Sequence, residues 1–296
     1  MIRRPPRSTL DRSSAASDVY KRQIILQRSG IGALEDINPH GIKLIHELPG
    51  VGKNLQDHID FNFCFKTNDK NTLGFSPGGF LKIIGEMAKW LTHGNSMISS
   101  TLSEAGGFLK TDQSLDRPDI QHHFVIGLID DHLRKLHYGY GYSCHVCLLR
   151  PYSRGTVSLA SAKDNDAPLI NPNFLNDGRD VDTLIKGAKM TQNILNTPPL
   201  KKYQKREIYG VHSNLTDKEW EQHIRNRADT IYHPVGTCKM GKDPLAVVDS
   251  SLKIRGLSNI RIADASIMPT ITSGNTNAPT IMIGEKCATM IMDVHR

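Results

Sequence analysis

Residues 256–291 read GLSNIRIADASIMPTITSGNTNAPTIMIGEKCATMI. The apolar residues of NIRIADA predict a short strand ending at Asp264. Small and polar residues then fill 266–278, which predicts a loop. A helix is expected from Pro279, because proline suits the first helical position. Strand, loop and helix in that order form an α/β unit, and ligands bind at the carboxyl ends of its strands. The helix start offers backbone N–H groups without intrahelical acceptors and the positive end of the dipole. Such a terminus stabilises an anion.

Working outward, residues 231–241 read IYHPVGTCKMG and place His233 before a glycine turn. Alone, a histidine in such a stretch is more often a hydrogen-bonded core residue than a catalyst. Upstream, IILQRSGIG (24–32) is apolar and then punctuated by glycine. IKLIHELPGVGKNLQDH (42–58) is strand-like and ends in a Pro-Gly-x-Gly turn. PGGFLKIIGEMAKWLTHGN (77–95) predicts a helix with Leu81, Ile84, Ala88 and Leu91 along one face. PDIQHHFVIGLI (118–129), YSCHVCLLRP (142–151) and RGTVSLAS (154–161) read as strands. A helix over 180–195 has Leu184, Ala188, Thr191 and Leu195 at helical spacing. A second begins at Thr216, whose capping box closes with Glu219, with Trp220 and Ile224 sharing a face. The class is α/β, becoming α+β in the middle.

Composition narrows the function classes. With 38% hydrophobic and 23% charged residues among 296, the chain reads as an ordinary globular protein. No apolar run approaches the roughly 20 residues of a membrane helix, so no membrane span is expected. The net charge is +7, but the first 23 residues hold six basic side chains against two acidic ones. The remainder carries too little positive charge for a nucleic-acid face. The five cysteines are scattered and odd in number, which is no disulfide framework. CHVC (144–147) has no second pair to complete a zinc site, and reads as strand packing. His122, His123, His132 and His137 crowd one region. The pair 122–123 points to opposite faces of a strand and cannot chelate together, so no metal is expected.

Four segments in order carry a resemblance: SGIG (29–32), LPGVGKNLQDH (48–58), RPYSRGTVSLAS (150–161), and YHPVGTCKMG (232–241) with ADASIMPTITSGNTNAPT (263–280). Together they resemble the C-terminal half of a glucose–methanol–choline (GMC) oxidoreductase, a flavoprotein family that oxidises alcohols, with an insect glucose-dehydrogenase-like branch expected as nearest. The resemblance implies FAD as cofactor, an alcohol or sugar as substrate, and a quinone or oxygen as electron acceptor. It implies that His233 is the catalytic base and Asn277 the second catalytic position. Histidine suits proton removal near neutral pH. An amide donor suits developing alkoxide charge. It further implies flavin contacts from Ser29, Gly30, Asn54, Leu55, Asp57, His58, Asp264, Ala265, Asn277, Pro279 and Thr280. Secretion is the family expectation for localisation.

The sequence also departs from that pattern. It contains no GxGxxG, the loop that cradles a dinucleotide pyrophosphate. The expected architecture is therefore a partial FAD-binding domain lacking its N-terminal βαβ unit, over 24–60 and 245–296. An antiparallel-sheet substrate domain backed by helices is expected over 61–244. Residues 1–23 resemble vector-derived sequence and are expected to be a non-native leader. Weak or no FAD binding by this chain alone follows as an expectation. Two other readings stay open: a cyanohydrin lyase using flavin structurally, and a truncated chain without catalysis.

Overall fold

A computed structural model describes residues 20–212 and 214–294. The chain divides into two compact units. The first comprises the described residues through His58, then Arg150–Asn176, then Tyr232 onward; the second comprises Ile59–Leu149 and Asp177–Ile231.

Short apolar segments from distant parts of the chain build the first unit. Helix Arg22–Arg28 buries Ile24 and Leu26. Ile31–Gly32 pairs in parallel with His46–Glu47. Leu48, Val51, Val235, Val247, Ile254, Ile262 and Ile267 form its core with Ile283 and Cys287 of the last helix. Thr156–Ser158 pairs with Leu169–Asn171. Backbone bonds explain why 150–176 and 232–244 belong here and not to the expected 61–244 span. Gly155 N donates to Leu55 O at 2.8 Å, Val157 N to Gly52 O at 2.8 Å, and Val235 N to Gln56 O at 2.8 Å.

Three other expectations change. Gln23 is fully buried, Thr237 Oγ1 donates to its Oε1 at 3.4 Å, and Arg22 pairs with Asp264 at 2.9 Å. Residues 20–23 thus pack with the unit, while 1–19 of the expected leader lie outside the described residues. NIRIADA forms no ladder strand, only a bridge between Lys253 and Arg261. Asn259, its first residue, is in the left-handed region (φ 62°) and turns the backbone there. The last helix runs Asn277–Val294, starting two residues before Pro279.

The second unit is built on a seven-stranded antiparallel sheet: β1 (Ile59–Thr67), β2 (Gly74–Phe75), β3 (Ser103–Leu109), β4 (Ile120–Val125), β5 (Gly139–Leu148), β6 (Arg206–Glu207) and β7 (Asp229–Thr230). The path is β6-β1-β5-β4-β3, with β7 on β1 and β2 on β5. Alternation sorts the two faces. One face packs Phe61 and Phe63 edge-on against Trp220. Helix Gly178–Leu195 covers this face closely; a Cβ on Gly187 would sit 3.1 Å from Val146 and 3.2 Å from Ile120. His122 Nε2 meets Thr191 Oγ1 here at 2.8 Å. The opposite face carries Asp60, Asn62, His123, Ser143 and His145. The two neighbouring histidines of β4 therefore do diverge. Helix Asp217–Arg227 starts on the expected capping box of Thr216 and Glu219. Cys144 and Cys147 lie buried on β5, and burial pushes the Cys144 thiol up to about 12, so the CHVC pair is packing.

Candidate active site

His233 is fixed from three sides within the first unit. Its backbone N–H donates to Asp57 Oδ1 at 2.9 Å. Its ring Nδ1 lies 3.1 Å from Thr276 Oγ1, and its Nε2 lies 3.0 Å from the amide nitrogen of Asn275. An amide N–H donates, so Nε2 carries the lone pair and Nδ1 the proton, given to the threonine hydroxyl. The geometry therefore presents a neutral imidazole with its basic nitrogen beside an amide donor.

The local backbone explains how the sequence achieves this. Tyr232 is held in the left-handed region (φ 68°), an uncommon state for a bulky residue. Such strain persists only where surrounding contacts over-determine it, and the Asp57 bond to the next N–H is one such contact. Gly236, three residues on, has φ 92°, and a Cβ there would lie 2.5 Å from Asn54 O. Asn54 Nδ2 donates to Gly236 O and Pro269 O, both at 3.2 Å. Gln56, buried, donates to Pro269 O at 3.1 Å and accepts from Ile271 N at 3.2 Å. The 48–58 loop thus clamps both the histidine turn and the loop that bears Asn275. His58, fully buried, stands edge-on to His233 at 5.7 Å between centroids, and its Nε2 donates to Gly274 O at 3.1 Å.

The remaining sequence candidates take several places. Leu55 is core, packed with Ile24, Val157 and Leu159. Asp264 caps the turn Ala265–Ile267 by accepting from Ser266 N at 2.8 Å, and its other oxygen meets Arg22. Ala265 is buried, and its carbonyl accepts from Gly236 N at 3.3 Å. Thr280 Oγ1 donates to Thr276 O at 2.7 Å. Ser29 ends helix Arg22–Arg28, and Gly30 turns against Ile45 and His46. Asn277 is exposed in the first turn of the last helix. Asn275 and Thr276, not Asn277, reach His233. The GNTNAPT string contains both asparagines two residues apart, and only the loop's curvature separates them. Gln56 was also missed; its type carries no chemical signal.

These residues fit one end of a flavin. The helix start at Asn277–Ala278 is exposed and has free N–H groups and a positive dipole end, suited to a ring that becomes anionic on reduction. His233 and Asn275 offer polar atoms beside it. At Gly30 (φ 75°) a Cβ would meet the chain's own Lys43 carbonyl at 2.3 Å, so the tight turn itself requires glycine.

Residues 151–284 match the family model for the C-terminal domain of GMC oxidoreductases. The chain is 46% identical over 272 residues to an alcohol dehydrogenase [acceptor] of Pseudomonas putida, covering 90% of this chain and 49% of that protein. It is 39% identical over 268 residues to an oxygen-dependent choline dehydrogenase of Citrobacter koseri, covering 90% and 48%. A formate oxidase structure from Aspergillus oryzae RIB40, solved to study FAD modification, superposes with a TM-score of 0.85 at 26% identity, covering 94% and 53%. The chain spans about half the length of the relatives it matches. By matched segment and by fold, this chain carries a C-terminal GMC oxidoreductase domain.

Proposed function

We propose that the chain supplies the proton-handling site of an FAD-dependent oxidoreductase acting on an alcohol CH–OH group. One observation carries the reading: the unprotonated Nε2 of His233 faces the amide of Asn275 at 3.0 Å. An alcohol oxygen entering between them would receive the Asn275 N–H and give its proton to Nε2. The amide then holds the oxygen as negative charge develops. Thr276 and Asp57 keep the ring in its tautomer and orientation, so the imidazole need not turn, and only the Asn275 amide has to swing off Nε2 to admit the alcohol. Bound FAD would supply the hydride acceptor. The exposed start of the last helix would hold the flavin edge that gains charge. The names of the relatives, an alcohol dehydrogenase and a choline dehydrogenase, support an alcohol as substrate, with an external acceptor or oxygen taking the electrons.

In an FAD-loaded form of the protein, His233→Ala should lower kcat with a primary alcohol by roughly 10²–10⁴ while the flavin spectrum is retained. Unchanged turnover would remove His233 from this role.

A further inference from the structure

Helix Pro77–His93 of the second unit is amphipathic with its faces reversed. Its polar stripe is the one that meets the chain. Ser76 caps it by accepting from Gly79 N at 3.0 Å. Gly79 packs so closely that a Cβ there would lie 1.9 Å from Gly74 O. One turn on, Lys82 Nζ donates to Lys70 O at 2.9 Å and to Asn71 O at 2.8 Å. A further turn on, Glu86 accepts from Met97 N at 2.8 Å. Residues 79, 82 and 86 share one face of a helix, being three and then four positions apart. The opposite face carries Phe80, Ile84, Met87 and Leu91, which are 51–71% exposed.

That stripe has the spacing of a helix–helix seam. Its steps of four, three and four residues are the a/d repeat whose side chains interlock with those of a second helix. Leu81 and Ala88 flank the seam on one side, Ile83 and Trp90 on the other, so no charge stands beside it. A helix that lies on a lipid surface is instead rich in Lys and Arg on its polar face. This one holds two lysines and one glutamate, and Lys82 is bonded to the chain's own carbonyls. Phe75 and Tyr138 extend the patch, walling an open apolar cleft with Phe80 and Ile83 at the helix start. At these exposures the patch amounts to roughly 900 Å², taking about 150–250 Å² for each large apolar side chain. The largest such patch on a typical monomer is about 300–600 Å². A standard stable interface takes about 800 Å² from each partner.

We propose that this face is the interface between two copies of the chain, with the two helices antiparallel about a two-fold axis that passes between Ile84 and Met87. Two-fold symmetry puts the same patch on both partners. An antiparallel pair centred there sets Phe80 against Leu91 and Ile84 against Met87, and opposes the two helix dipoles. The interface lies wholly within the second unit. It goes beyond the proposed oxidation at His233, which it does not require.

The test is sedimentation velocity of the purified 296-residue chain over a concentration series. The wild-type chain should form a discrete dimer with a Kd of about 1 µM or tighter, the weak end of interfaces of this size. Ile84→Lys and Met87→Glu alter exposed positions, so each should keep the wild-type circular dichroism while raising that Kd at least about tenfold. An equimolar mixture of the two variants should recover a dimer, because the antiparallel register sets the new ammonium against the new carboxylate. A monomeric or polydisperse wild-type chain, which needs no variant to fold, overturns the interface. An unchanged Kd in both folded variants overturns this face. A mixture no tighter than its components overturns the antiparallel register. A monomer that binds phosphatidylserine–phosphatidylcholine vesicles through Ile84 would assign the face to a membrane and overturn the second copy as its occupant. None of these readouts involves flavin or turnover, so the His233 reading stands or falls separately.

Discussion

Asn275 and Asn277 are the same residue type two positions apart, yet they have different surroundings. Asn275 touches His233 Nε2; Asn277 begins a helix and is exposed. Oxyanion-type donors are worth roughly 10²–10³ in turnover. Asn275→Ala should therefore lower kcat by about that factor in an FAD-loaded form, whereas Asn277→Ala should change kcat less than about tenfold. Steady-state kinetics of the two variants side by side would decide between them, and the reverse order would restore Asn277 as the second catalytic position. Sequence reading singled out His233, Asp57 and His58 because they sit in short, distinctive strings. It chose Asn277 as the second position, whereas the asparagine beside His233 is Asn275, set by how Gln56 and Asn54 bend the 269–276 loop.

The helices that back the sheet owe their stability to burial more than to propensity. Trp220 is fully buried against Phe61 and Phe63. Trp220→Ala should cost about 3–5 kcal/mol in a urea melt, the usual loss for a large core ring. Thr216→Ala removes only the cap of the same helix and should cost about 1 kcal/mol. Equal losses would mean that the ring cluster contributes no more than the cap. At the same scale, the Asp60–His145 pair gives a pH signature. The folded pKa of His145 is raised above its ordinary 6.5. The stability this adds is complete below about pH 6.5 and is lost as pH rises through the folded value. The stability difference between wild type and Asp60→Asn should therefore shrink as pH rises above about 6.5. A difference that grows with pH would show that the histidine is not protonated in the fold. Capping box, helix spacing and the divergence of His122 and His123 were legible beforehand, since each is a local pattern. The outward turn of Leu81, Ile84 and Leu91 on helix Pro77–His93 was not. Their spacing showed that they share a face, but not what the face meets.

At the scale of the whole chain, the described residues offer a place for the flavin ring edge at the last helix and no glycine-rich pyrophosphate loop in sequence. FAD added to the purified 296-residue chain should remain free, or bind with a Kd no tighter than about 10 µM. Flavin fluorescence quenching on titration would measure this. Tight, stoichiometric quenching would show that the ring-edge contacts suffice. The chain covers 49% of the Pseudomonas putida relative by sequence and 53% of the formate oxidase by fold.

The sequence by itself determined the family resemblance, the mixed class and most helix limits. These depend on residue order over a few positions, where spacing and capping chemistry act directly. Only the tertiary structure decided which asparagine meets His233, that 150–176 packs with the first unit, and that Asp60 finds His145. Each of these joins residues far apart in the chain, and their meeting depends on strand register and loop clamping that no local pattern encodes.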